Sequence, residues 1–209
     1  MEVSISGKPV LKNEFAVSTS NIIKLFKKHD VYVFGYGSLL YPEGWEGRNM
    51  REVHRDLVPT NLNNFERGPF GLYGFANFYG VIRTKGRYLN GVVTHIKHPS
   101  DYFYLMLSEF VVGLHRYANY RVVDVTNEIE IDLSKRAVVH TVANRPINRI
   151  KMLTSVPSSG YYNSVMYNIK GFHTEKFVDE FFKTGGFKNG REVRRYLKRR
   201  GNVNITGRH

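Results

Sequence analysis

The apolar positions of this chain keep two different periods, and the changes from one to the other place the elements. Val31-Tyr32-Val33-Phe34 is a continuous apolar, β-prone run that predicts a buried strand over 31–36. Gly35 and Gly37 break it into the turn Gly35-Tyr36-Gly37-Ser38-Leu39-Leu40. Before it, residues 1–18 hold no sustained period and read as a loose extension, whereas 21–28 predicts a short helix. Ser18, Thr19 or Ser20 can cap that helix, and Lys27 and Lys28 suit the negative end of its dipole. Residues 41–55 read as a polar loop with a short helical piece, in which Trp45 is a lid side chain or a partly buried aromatic. Val53–Val58 and Asn61–Arg67 read as strands and 68–75 as a loop of glycines and aromatics. Ala76–Arg83 and Tyr88–Ile96 read as two strands joined by the turn Thr84-Lys85-Gly86-Arg87.

The second half is more helical. Pro99 or Ser100 opens a nearly continuous apolar helix through Tyr102–Val112, which Gly113 stops. Strands follow at Tyr120–Val125 and Arg136–Val142, with Ile129–Leu133 alternating as a solvent-facing edge strand would. Tyr161, Tyr162, Val165, Met166 and Ile169 keep helical spacing, as do Phe177, Val178, Phe181 and Phe182 in a helix that Thr174 opens and Gly185-Gly186 ends. The organisation expected is an extension with a short helix over 1–30, one domain over 31–186, and a tail over 187–209.

Composition narrows the chemistry. The 209 residues include 14 Phe and 14 Tyr, enough aromatic volume for a sizeable single core. No apolar stretch reaches bilayer-spanning length and Met1–Lys12 contains no signal-type apolar run, so a soluble, cytoplasmic protein without membrane contact is expected. The absence of cysteine removes disulfides, thiolate nucleophiles and Cys-based zinc sites, and fits a reducing compartment. His95, His98 and His115 share no ligand spacing with neighbouring carboxylates, so no metal is expected. The net charge of +13 predicts attraction to nucleic acid or another acidic partner.

Two features could carry chemistry. By spacing alone 35–40 is a tight turn, but such a turn can also aim several N–H groups at one point and hold a carboxylate or an oxyanion. It is not a dinucleotide fingerprint, because Leu40 stands where the third glycine would, and no Gly-Lys-Ser/Thr follows as in a phosphate-binding loop. The other feature is Glu109, the one carboxylate in the apolar helix. It is either an exposed residue at the helix end or a buried acid that is paired, protonated or used.

Phe34-Gly35-Tyr36-Gly37-Ser38-Leu39 resembles the Y-G-S-[NL] signature of the γ-glutamylcyclotransferase-like families, which include γ-glutamylamine and glutathione-specific enzymes and their plant relatives. Leu105-Met106-Leu107-Ser108-Glu109, in the helix after Gly91-Val92-Val93, is similar to their L-x-x-x-E. Pro157-Ser158-Ser159-Gly160-Tyr161-Tyr162 is similar to their P-S-x-x-Y. The three segments fall in the family's order and span about residues 31 to 172. The resemblance implies an α+β fold, a small mixed β-barrel-like sheet flanked by helices. It implies release of 5-oxoproline from a small γ-glutamyl substrate, with Glu109 as catalytic acid/base and with neither cofactor nor metal. Tyr36, Gly37, Ser38, Leu39, Tyr117 and Tyr162 would bind the substrate. One departure bears on this: Phe110 follows Glu109 where many relatives have Glu-Gly. A second alignment sets Gly113 on that glycine and Val111 or Val112 at the catalytic position, and on it the chain does not catalyse.

The last segment reads separately. From Lys188 onward eight Lys and Arg face only Glu192, and Arg191–Arg200 predicts a helix with Val193, Tyr196 and Leu197 toward the body. Arg191, Arg194, Arg195, Lys198, Arg199 and Arg200 would then face outward, either as a solvated surface or against phosphates, with Tyr196 able to stack on a base. Three functions therefore stand: an active cyclotransferase, a catalytically inactive cyclotransferase-like fold that binds a ligand or protein, and a nucleic-acid-associated scaffold.

Overall fold

The computed structural model describes residues 15–46, 56–73, 76–111, 120–144 and 156–202. Strand β1 (Asp30–Gly35) lies in the middle of a mixed sheet. On one side β3 (Ala76–Ile96) runs antiparallel to it with Val33 opposite Thr94; on the other β5 (Ala137–Asn144) runs parallel with Val33 opposite His140. β2 (Val58–Tyr73) pairs outside β3, β4 (Tyr120–Asp124) outside β5, and β6 (Val156–Pro157) beside the start of β3.

The sheet curls until its outer strands approach each other. After β4 a 3-10 turn, Thr126–Glu128, carries the chain back to β2, where Ile129 bridges Leu62 and the Glu130 N–H donates to the Asn61 carbonyl at 3.1 Å. The Asn61 and Asn63 side-chain amides donate to the Glu130 carboxylate at 2.8 and 2.9 Å, and these bonds hold that carboxyl below its ordinary range. The result is a half-barrel, the architecture that the resemblance implies.

Strand alternation divides the core into two layers. Val31, Val33, Ile96, Val138 and Val142 face outward, where Ile22 of α1 (Thr19–Lys28) and Tyr102, Leu105 and Met106 of α3 (Pro99–Val111) cover them. Phe34, Val81, Leu89, Val92 and Val139 face inward. Against them pack Tyr162, Val165 and Ile169 of α4 (Ser159–Phe172), Phe177 and Phe181 of α5 (Glu175–Lys183), and Val193 and Leu197 of α6 (Gly190–Asn202). The helix expected within the tail is thus docked in the core of the domain. Capping follows the sequence: the Ser18 hydroxyl accepts from the Asn21 N–H and the Thr174 hydroxyl from the Phe177 N–H, each at 3.3 Å.

The strand assignments need correction at several places. Ala76–Arg83 and Tyr88–Ile96 do not form a hairpin; they are successive lengths of β3, both paired to β2. The expected turn at 84–87 is a bulge: Asn63 pairs with Tyr88 and Phe65 with Arg83, so 84–87 lie opposite Asn64 alone. Asn64 (φ 60) and Gly86 (φ 74) both adopt left-handed backbone there, joined by a Gly86 N–H donation to Asn64 Oδ1. Residues 68–73 are strand rather than loop, with a second register shift between Gly68 and Gly71 absorbing the glycines and Pro69. Ile129–Leu133 is not a strand; Ile129 alone makes a bridge. Of the strand expected at 53–58, 53–55 fall outside the described residues and Val58 begins β2.

One buried polar contact in the outer layer predicts pH dependence. His140 is 2% exposed and its Nδ1 is hydrogen-bonded to the Tyr102 hydroxyl at 2.5 Å. Burial pulls the imidazole from 6.5 down to about 4, with Asp124 opposing the shift and His29 adding to it. Between those values the unfolded chain takes up a proton that the folded chain refuses. Stability contributed by the neutral ring is therefore present above pH 6.5 and is lost as pH falls, by about 3 kcal/mol over the window. Urea midpoints measured at pH 7 and pH 5 should differ clearly for the wild type. His140→Leu, less stable at pH 7, should show a markedly smaller difference.

Candidate functional site

β1 ends at Gly35, and the chain turns through Gly37 (φ −128, ψ −114) into a single 3-10 turn, Ser38–Leu40, closed by donation from the Leu40 N–H to the Gly37 carbonyl at 3.1 Å. Two carbonyls of this turn are gripped from outside. The Trp45 indole, fully buried on α2 (Pro42–Glu46), donates to the Leu39 carbonyl at 2.9 Å. His173, at the end of α4, donates through Nε2 to the Leu40 carbonyl at 2.6 Å and stacks on Phe177 at 3.9 Å. Burial lowers the His173 pKa and the bond to Leu40 opposes that shift. α2 also presses closely on the turn, since a Cβ on Gly44 would lie 1.5 Å from the Ser38 carbonyl oxygen, which only glycine avoids. Trp45 is therefore neither a lid nor half-buried; it anchors the turn from beneath.

Within the signature, Tyr36, Gly37 and Leu39 are buried and Ser38 is half-buried. The Tyr36 hydroxyl donates to the Val142 carbonyl at 2.6 Å, which ties the turn to the end of β5. Tyr162 is fully buried and donates to Asn77 Oδ1 at 3.1 Å, and burial raises its pKa well above the ordinary value. The aromatic that reaches the turn is its neighbour, half-buried Tyr161. A Cβ on Gly37 would stand 2.6 Å from the Tyr161 hydroxyl oxygen. Because the end of a side chain yields more readily than backbone, Gly37→Ala should displace Tyr161 at a cost of about 1 kcal/mol, the low end of overpacking. Chemical denaturation of Gly37→Ala and of Gly37→Ala with Tyr161→Phe checks this, with stability expected to recover in the double variant.

Glu109 lies on α3, and its side chain falls outside the described residues, as does Tyr117. Leu105 and Met106, one turn before Glu109, share the outer-layer cluster with Leu39 and Trp45. The structure thus sets the tyrosine of the P-S-x-x-Y segment against the glycine turn, and places the helix of the L-x-x-x-E segment in the same core cluster as Leu39 of that turn.

Sequence reasoning missed several neighbours. Tyr161 was legible, because the P-S-x-x-Y spacing from Pro157 lands on it. Tyr79, which makes edge contacts with Tyr162 and Phe181, both accepts from the Phe187 N–H at 2.7 Å and donates to the Phe187 carbonyl at 3.1 Å; burial raises its pKa. Arg67 carried no signal. Its guanidinium is buried on β2, where burial lowers its pKa to about 10 against the favourable influence of Tyr79, Tyr161 and Tyr36. It stacks on Phe181 at 4.2 Å and donates to the Asn90 side chain, to the Asn90 carbonyl, to Thr184 and to the Phe181 carbonyl at the C-terminal end of α5. That helix end, with its negative dipole, offsets a cation that has no carboxylate partner among the described residues.

Among the described residues no three His, Asp or Glu side chains are grouped as metal ligands would be, and no helix is long and apolar enough to cross a membrane.

No protein-family model and no curated protein matches the sequence significantly. Similarity appears in three dimensions. The chain superposes on a solved structure named Gamma-glutamyl cyclotransferase with a TM-score of 0.55 at 16% identity, covering 81% of this chain and 99% of that one. An uncharacterized protein from Homo sapiens gives 0.54 at 17%, with 82% and 99% covered. YkqA from Bacillus subtilis gives 0.54 at 16%, covering 86% of this chain and 58% of its own length. The curled mixed sheet between helical layers, with its glycine turn leaving β1, is the γ-glutamyl cyclotransferase-like fold.

Proposed function

We propose that this protein releases 5-oxoproline from a γ-glutamyl compound. One observation carries the reading: the Tyr161 hydroxyl lies against Gly37 of the turn, and Leu39 of the same turn shares a core cluster with Leu105 and Met106 of the helix that bears Glu109. One of the structural neighbours is named for this activity.

In the proposed reaction the substrate's own α-amine is the nucleophile. Glu109 takes a proton from the α-ammonium, the freed nitrogen bonds to the γ-carbonyl carbon, and an oxyanion develops on the carbonyl oxygen. The bond from that carbon to the departing nitrogen then breaks, and Glu109 returns the proton to the leaving amine. The ring nitrogen sheds its second proton, which the departing amine takes up, so the five-membered lactam and an ammonium ion result and no water is consumed. Ring closure is intramolecular, so holding the substrate bent supplies much of the acceleration. Backbone amides at Gly37, Ser38 and Leu39 would hold the α-carboxylate or the developing oxyanion, in a turn already fixed through its carbonyls by Trp45 and His173. The Tyr161 hydroxyl lies beside Gly37; Tyr36 and Tyr162 serve as supports through their bonds to Val142 and Asn77. Tyr117 remains a proposed substrate contact.

The test is 5-oxoproline release from a panel of γ-glutamyl amino acids, γ-glutamylamines and glutathione. Release from one member names the leaving-group class. A folded protein inactive on all of them would favour the ligand-binding module instead.

A further inference from the structure

We infer that the outward face of α6 is a binding surface for the phosphate backbone of nucleic acid, separate from the glycine-turn site. At 100° per residue Arg191, Arg194, Arg195, Lys198 and Arg199 fall within an arc of about 140° on one side of the helix. All five are exposed, while Val193 and Leu197 on the other side are 0% and 4% exposed in the inner core. The Arg200 side chain lies outside the described residues.

The helix is capped and docked, and the charge of its outward face is uncompensated among the described residues. The Asn189 side chain caps the helix, accepting from the Arg191 and Glu192 N–H groups at 2.9 and 3.1 Å. The helix's one acid, Glu192, accepts from the Lys188 N–H at 2.7 Å. Among the described residues none of the five cations is ion-paired. From Arg191 to Arg199 the row extends about 12 Å, a length over which duplex DNA carries about seven phosphates.

The packing discriminates between polyanions. An amphipathic helix that binds membranes sinks its apolar face among the lipids, whereas the apolar face of α6 is committed to the protein core. A protein partner would need an apolar or aromatic anchor at the centre of the contact, and the arc carries cations alone. A backbone of regularly spaced phosphates needs neither, and the net charge of +13 favours its approach from any direction.

The test uses the full chain, a short fluorescent DNA duplex in two unrelated sequences, phosphatidylserine vesicles and polyglutamate. Both duplexes should bind alike, with affinity falling steeply between about 50 and 200 mM salt. Replacing Arg191, Arg195 and Lys198 together by Gln should weaken binding at least about tenfold and make the salt slope shallower by about 2–3, at about 0.9 for each lost phosphate contact. A control removes equal charge from exposed Lys24, Lys27 and Lys28 on α1 and should leave the slope unchanged. Four outcomes overturn the inference: no duplex binding at low salt, an α6 variant that binds like the wild type, an α1 variant that loses as much, or vesicles or polyglutamate bound as tightly as the duplex.

Discussion

Glu109→Gln is expected to lower 5-oxoproline release by about 10²–10⁴-fold, the range for losing a positioned general acid/base. Gln keeps the shape and hydrogen-bonding reach of Glu but can neither take a proton from an ammonium nor deliver one to a leaving nitrogen. Substrate affinity should change little, because the turn holds the γ-glutamyl part independently of the proton shuttle. The unfolding midpoint should be unchanged, which separates lost chemistry from lost structure. A variant retaining wild-type release would remove Glu109 from the mechanism, and would equally exclude the alignment that sets Gly113 on the family glycine, on which the chain does not catalyse.

Trp45→Ala should be the most damaging single truncation near the site, at about 3–5 kcal/mol of stability. The side chain is fully buried in the cluster that also holds Leu39, Leu105 and Met106, so its loss opens a cavity in the outer layer beside the turn. It also leaves the Leu39 carbonyl without the indole donor. The effect should reach function, since any donor geometry at Gly37–Leu39 depends on a fixed turn. Denaturant midpoints of Trp45→Ala and Trp45→Phe separate the two contributions. Phe restores most of the volume without the N–H and should lose only about 1 kcal/mol. Equal losses in the two variants would place the whole effect in the hydrogen bond.

Much of this architecture was legible where one local signal dominated. The apolar run 31–34, the apolar stripe at 193 and 197 and the cap at Thr174 each depend on residues close in sequence, and each element formed where that signal stood. Reading failed where long-range pairing overrode local preference. Gly68, Pro69 and Gly71 suggest a loop, yet β2 passes through them because β3 supplies partners on both sides of the register shift. Gly86 does bend the chain, but Phe65 and Asn63 recapture β3 on either side of it, so a turn by composition is a bulge by context. At the site the glycines of the turn could be read directly, whereas the reading took Tyr162 from the third motif and the structure sets its neighbour Tyr161 against Gly37. Arg67 could not, because a lone arginine in a polar strand gives no sign that a helix end 114 residues later will bury it.

The position of β1 has a consequence for how the protein is made. Its two neighbours are β3, which follows it, and β5, whose Val138 pairs with Val31 across a separation of more than a hundred residues. The inner core layer that includes Phe34 of β1 is completed last, by Val193 and Leu197 of α6. At ribosomal speeds of about 5–20 residues per second, roughly 8–30 s separate the appearance of Val33 from that of Leu197. For that interval the nascent chain presents an unfinished sheet with its aromatic interior open, a state in which β-rich chains are prone to mispair. The helix that carries the row of arginines therefore also closes the fold, and truncating it should release an aggregating polypeptide rather than a smaller folded domain.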